Sequence, residues 1–210
     1  MKKTLIAIPA MSTVHTGFMS SVLGMYRPAD AQFAITEATV VHSARNILAK
    51  VAVEGGFDRI MWIDSDMRVP GDLLRRLSAD ADEGMDFVCG LYFRKTIPTD
   101  VTIYSDIREN PDGTYKTTLM KIFPKDTRFK IAGCGFGAVL MNTDVYLHAL
   151  AKSGPTKNPF QPIENLGEDI SFCYRIKDEV EMWCDSRVKV PHIGLYDYTE
   201  NDLITGGIWE

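Results

Sequence analysis

The sequence predicts an α/β fold in one domain: a mostly parallel central sheet flanked by helices, with a β-hairpin excursion. Three observations carry this. Apolar runs alternate with helical segments through roughly the first 90 of the 210 residues, as in sheets built from βαβ units. Arg59 to Ile63 (R-I-M-W-I) is apolar without alternation, as in a strand covered on both faces. Asn110-Pro111-Asp112-Gly113 is a strong turn signal between two strand-like runs.

Thr4 to Ile8 is a short apolar run closed by Pro9, Thr16 to Met25 reads as a helix, and Gln32 to Glu37 as a second strand. Lys2 and Lys3 before the first run mimic a signal peptide, but the run is too short and lacks a cleavage site, so it reads as a buried strand. Ala44, Ile47, Leu48, Val51 and Ala52 recur at helical spacing until Gly55-Gly56 stops the pattern. Pro70 and Asp72 open a helix to about Leu77, and Asp86 to Leu91 forms the fourth core strand. Val101 to Tyr104 and Tyr115 to Ile122 make the hairpin; Val139 to Met141 is a strand and Thr143 to Ala151 a helix. Lys152 to Leu166, with three prolines, reads as a loop long enough to be a flap. Gly167-Glu168-Asp169 begins a helix whose face carries Ile170, Cys173 and Tyr174. Val188 to Val190 is a last strand before Pro191-His192-Ile193-Gly194. The domain therefore spans 1–194, and 195–210 is a polar tail.

With 45% hydrophobic and 24% charged residues the chain can bury a sizeable core. Its 23 basic and 28 acidic side chains give a net charge of -5, which disfavours a non-specific nucleic-acid coat. The basic clusters at Arg75 and Arg76, and at Lys121, Lys125, Arg128 and Lys130, read as solvated faces. No apolar stretch reaches the roughly 18 residues of a membrane span. Cys89, Cys134, Cys173 and Cys184 lie far apart without metal-ribbon spacing, as suits a reducing, cytoplasmic setting.

Chemistry concentrates at an Asp-x-Asp triplet. With 18 aspartates in 210 residues, chance supplies roughly 1.5 such triplets, and the chain has two. Asp80-Ala81-Asp82 lies in a polar stretch and reads as surface. Asp64-Ser65-Asp66 follows an apolar strand, which delivers both carboxylates to the carboxyl edge of the sheet, where α/β proteins gather ligands. Alternate residues at a strand end face the same way, so the pair suits a hard cation or a cation and a sugar hydroxyl. Gly133, Gly135 and Gly137 mark a close backbone approach.

The order of apolar strand, Asp64-Ser65-Asp66, glycine-rich Gly133 to Gly137, Gly167-Glu168-Asp169 on a helix and His192 after a strand resembles GT-A fold glycosyltransferases. It is also similar to small family-2-like, glycosyltransferase-like proteins of bacteria and phages. The resemblance covers about Thr4 to Gly194. It implies a metal-dependent enzyme that moves a hexosyl or pentosyl group from a nucleotide-diphosphate donor to a hydroxyl acceptor, with a modified DNA base as one acceptor class. Asp66, Asp64 and His192 would hold Mn2+ or Mg2+, and Asp169, or else Glu168, would be the general base. Pro9, Ala10, Ser12, Arg45, Asp64, Ser65 and Asp66 would bind the donor. Gly133, Gly135, Gly137 and Arg94 would face the acceptor, and Lys95 is a further candidate for diphosphate or acceptor contact. The Asn-Glu pair frequent after the first strand is absent from Ala7 to Gly17, and no Gln/Arg-x-x-Arg-Trp stretch occurs.

Three other readings compete. A haloacid-dehalogenase-type, Mg2+-dependent phosphohydrolase would use Asp64 and Asp66 as nucleophile and acid/base, but leaves His192 without a role. A nucleotidyltransferase would need a basic first loop, and Ala10 to Gly17 holds no Lys or Arg. A non-catalytic binding module of the same fold would not need Asp64, Asp66, Asp169 and His192 together.

Overall fold

The structure, a computed structural model, describes residues 2–37, 40–194 and 197–202. Strand β1 (Thr4–Ala10), buried along its whole length, pairs in parallel with β2 (Ala31–Glu37) on one side and with β3 (Arg59–Ile63) on the other. Helix α1 (Thr16–Leu23) makes the first crossover and α2 (Val41–Glu54) the second. The chain thus moves outward to β2 and returns past β1 to β3. The direction of winding reverses at β1, and such a switch opens a crevice beyond the carboxyl ends of the two diverging strands.

Next come α3 (Leu73–Asp82), β4 (Phe87–Leu91), the antiparallel hairpin β5 (Ile103–Glu109) and β6 (Tyr115–Leu119), and β7 (Arg128–Ile131). They are followed by β8 (Gly133–Cys134), β9 (Ala138–Asn142), α4 (Thr143–Ala151), α5 (Glu168–Ile176), β10 (Met182–Lys189), β11 (His192–Ile193) and β12 (Asp197–Tyr198). Among the described residues the central sheet has seven strands in the order β2-β1-β3-β9-β4-β10-β7. It is mainly parallel, but β9 runs antiparallel between β3 and β4, and β7 antiparallel to β10. The hairpin joins β8 in a second small sheet, order β6-β5-β8. None of the described helices is long and apolar enough to cross a membrane.

Helices cover both faces. On one, Phe18 and Leu73 pack with Ile6, Ile8, Met61 and Ile63; on the other, Leu48, Trp62, Phe87, Phe136 and Phe172 form the larger cluster. Left-handed Gly56 (φ 62) stops α2, as its sequence predicts. Its buried face is shifted, however. Arg45 and Ala49 are buried with Ala44, Leu48 and Ala52, whereas Ile47 and Val51 are 48% and 40% exposed. The stripe of aliphatic residues selects the wrong edge of the helix because the buried arginine has partners distant in sequence.

Four other expectations change. Helix α3 runs past Leu77 to Asp82, so Asp80 belongs to its last turn, and Asp80 is buried. Arg128 and Arg187 both reach its carboxylate. Strand β10 begins at Met182, well before Val188, and its buried Asp185 and Ser186 interrupt the apolar pattern that would have announced it. The 152–166 segment is not a free flap, because Phe160 inserts into the core, stacked on Phe172 at 4.6 Å and edge-on to Trp62 at 5.4 Å. In the region expected to be a tail, β12 pairs with β11 and Glu200 binds Lys189; residues 203–210 lie outside the described residues. All four cysteines are buried and free.

Candidate active site

Strand β3 is buried throughout, and the acidic residues that follow it, Asp64-Ser65-Asp66, stand at the carboxyl edge beside the end of β1. The turn that follows is pinned from two sides. Asp64 N–H donates to the Gly137 carbonyl at 3.2 Å, fixed by the β3/β9 register. Ile193 N–H donates to the Asp66 carbonyl at 2.7 Å and Arg68 N–H to the Pro191 carbonyl at 2.8 Å. These backbone bonds carry His192 to Asp66 across more than half the chain.

His192 Nδ1 lies 2.8 Å from the Phe93 carbonyl oxygen, so Nδ1 carries a proton and donates it. That fixes the ring and turns Nε2 toward Asp66 Oδ2, 3.3 Å away. A histidine whose outer nitrogen is tied to a carbonyl is the usual arrangement of an imidazole metal ligand. Tyr92 packs edge-on against the imidazole with ring centroids 5.7 Å apart. Lys95 Nζ reaches the same Asp66 oxygen. Burial pushes the Asp66 carboxyl up, but the bonds from His192 and Lys95 outweigh it and hold the group at about 2.

Arg45 is the buried centre of the site. Its Nη2 donates to Asp64 Oδ1 at 2.9 Å, its Nε lies 3.6 Å from Glu168 Oε1, and its guanidinium sits over Phe136 at 5.3 Å. Burial pulls its pKa down, yet Asp64, Glu168 and Asp169 together bring the net shift upward. Asp64 moves upward too, because burial exceeds the pull of Arg45. Glu168 and Asp169 stand in the first turn of α5, where Asp169 Oδ1 accepts the Ile170 N–H at 2.7 Å. Burial, then the charge of Glu168, pushes the Asp169 carboxyl up to about 6.

A cleft of about 380 Å3 opens at this edge. Of the residues expected to bind a donor, Pro9, Ala10, Arg45, Asp64, Ser65 and Asp66 line it, joined by Met11, Val41, Ala44 and Glu168. Ser12 is exposed and outside the lining. Arg45 is too buried to be a free phosphate-binding arm. Four carboxylates, Asp64, Asp66, Glu168 and Asp169, face two permanent cations, Arg45 and Lys95. This surplus of negative charge would repel an anionic ligand unless a cation came with it.

Asp66 and His192 offer one oxygen and one nitrogen to a common point, a donor set that fits Mn2+, or Mg2+ with more water. Asp64 is engaged by Arg45 instead, and among the described residues no three His, Cys, Asp or Glu side chains converge on a metal position. Of the three side chains expected to hold an ion, Asp66 and His192 would be placed to do so together, and Asp64 stands apart on Arg45.

The glycines make their close approach within the protein. A Cβ on Gly135 would lie 2.0 Å from Tyr92 Oη, and one on Gly137 2.9 Å from Tyr92 Cζ. A Cβ on Gly133 would meet Ile107 Cδ1 at 2.7 Å. Arg94, expected near an acceptor, donates to Tyr104 Oη at 2.7 Å. The sequence reading missed Tyr92, whose only signal is its position one residue past β4. Gly135→Ala is expected to cost about 1–3 kcal/mol in urea unfolding. Tyr92→Phe in the same chain should recover part of that, because removing the hydroxyl relieves the closest contact.

No protein-family model and no curated protein matches the chain. Among solved structures it is similar to A197 from STIV, at 21% identity and a TM-score of 0.66, covering 99% of this chain and 98% of that one. It is also similar to GalNAc-T7 solved with UDP, GalNAc and Mn2+, at 10% identity and a TM-score of 0.60. That alignment covers 95% of this chain but only 44% of GalNAc-T7. Identities this low speak to architecture alone, and the architecture is GT-A-like.

Proposed function

We propose that this chain is a metal-dependent glycosyltransferase that moves a sugar from a nucleoside-diphosphate donor to a hydroxyl acceptor. The observation that carries the reading is Asp66 beside a tautomer-fixed His192, in an acid-rich cleft at the sheet's switch point. A GT-A-like fold, shared with a protein solved with UDP, GalNAc and Mn2+, supports it.

In this reading Pro9, Ala10, Met11 and Val41 form the apolar wall against the nucleoside, and Asp64 and Ser65 its polar edge. Asp66 and His192 hold the cation. When bound, Mn2+ or Mg2+ stabilises the negative charge that develops on the leaving diphosphate. Arg45, in the lining of the cleft, positions Asp64 and Glu168. Asp169 removes the proton from the acceptor hydroxyl; that oxygen forms the new bond to the anomeric carbon as the bond to the diphosphate oxygen breaks. A carboxyl at about 6 is ionised at neutral pH yet basic enough for this work. Gly133 to Gly137 and Arg94 border the acceptor side, with a modified DNA base one acceptor class among several. A phosphohydrolase is disfavoured because its nucleophile, Asp64, is held by Arg45.

Thermal shifts with UDP-, GDP-, CMP- and dTDP-sugars, with and without Mn2+, test the reading on wild type and Asp66→Ala. A donor at about 100 times its Kd should stabilise the wild type by about 2.7 kcal/mol. The gain should need both Mn2+ and Asp66. Stabilisation by no donor under any condition would refute donor binding.

A further inference from the structure

Lys95 is the part of the site that this mechanism leaves unused. It follows β4 in a short loop closed on itself: the Phe93–Val101 bridge joins its ends, and Arg94 N–H donates to the Asp100 carbonyl at 2.8 Å. Lys95 Nζ stands 2.5 Å from Asp66 Oδ2, the oxygen that His192 Nε2 also faces. The histidine's Nδ1 is tied to the Phe93 carbonyl. Of the two partners of Asp66, the Lys95 ammonium is the one that carries a permanent charge.

We propose that Lys95 is an internal counter-ion of the metal position: it neutralises Asp66 when no divalent cation is bound, and a divalent cation must displace it. This rests on the reading of Asp66 and His192 as metal ligands given above. Like charges at contact distance repel, so Oδ2 cannot keep an ammonium and accept a divalent ion together. The displacement is easy, because Lys95 and Asp66 are 33% and 43% exposed and such pairs are weak. The freed ammonium remains at the mouth of the cleft, ready for the phosphates of an anionic ligand. Cation and anion binding are then mutually favourable, because each disfavours the closed Lys95–Asp66 pair.

Mn2+ alone, titrated into the full-length protein and followed by the electron paramagnetic resonance of the free ion, tests this. Lys95→Met keeps the apolar stem beside Gly194 and removes the charge. It should bind Mn2+ about fivefold more tightly than wild type. Lys95→Arg should bind as wild type does, and Asp66→Asn should lose the site. A folded Lys95→Met that binds Mn2+ no more tightly than a binding wild type overturns the counter-ion role and leaves the metal reading standing. A wild type and a Lys95→Met that both fail to bind overturn the metal reading and this inference together.

Discussion

Replacing Asp169 by asparagine is expected to lower turnover by about 10²–10⁴, the usual contribution of a positioned general base, while making the protein more stable. The two effects share one cause. Burial and the Glu168 charge raise the Asp169 carboxyl to about 6, whereas an unfolded chain releases that proton near 4. Between those values the folded state binds more protons than the unfolded state, so stability falls as pH rises through the window. An asparagine side chain cannot ionise and escapes that loss, yet its amide oxygen can still accept the Ile170 N–H. The variant and wild type should melt together at pH 4 and diverge up to about pH 6. Above that the variant should keep an advantage of about 1–2 kcal/mol, allowing for partial exposure. Turnover of the wild type should rise as pH passes through about 6, and release of nucleoside diphosphate measures it. An Asp169→Asn variant with undiminished turnover would remove Asp169 from the chemistry; equal melting at pH 8 would deny that its charge is strained.

What the sequence disclosed follows from how far each cause lies along the chain. Strand β3 and its Asp64-Ser65-Asp66 terminus were legible because an unbroken apolar run ending in acids is local information. The hairpin around Asn110 to Gly113 was legible for the same reason, since turn chemistry is contained in four residues. Arg45 was not. Periodicity scores an arginine as polar, and only Asp64, Glu168 and the Phe136 ring, brought from three other places, make its burial tolerable. Asp80 misleads equally, because its arginine partners Arg128 and Arg187 come from β7 and β10, far along the chain. Asp185 misleads for a different reason, because its partner Arg187 stands only two residues on and the pair reads as polar surface. Among the site residues, the distant pair Asp66 and His192 was anticipated only through the order of motifs. The backbone bonds that bring them together, Ile193 to Asp66 and Arg68 to Pro191, have no sequence signature.

Arg45→Met is expected to be the most destabilising single change in the site, by about 3–5 kcal/mol. Methionine is close in length and fills the space under Trp62 and Phe136, so lost packing contributes little. The cost is electrostatic: Asp64, Glu168 and Asp169 lose the one buried cation among them. Neutralising one of those acids in the same chain should therefore restore stability. Arg45→Met with Asp64→Asn is expected to recover at least about 1–2 kcal/mol of the Arg45→Met loss, since contacting charges are not additive. Urea unfolding of wild type, both single variants and the double variant gives the coupling directly. Arg45→Lys should fall between, because a single ammonium cannot reproduce the guanidinium's reach to both Asp64 and Glu168. If the two single effects simply add, Arg45 stabilises the site by packing and not by charge. The orientation of Asp64 would then need another cause.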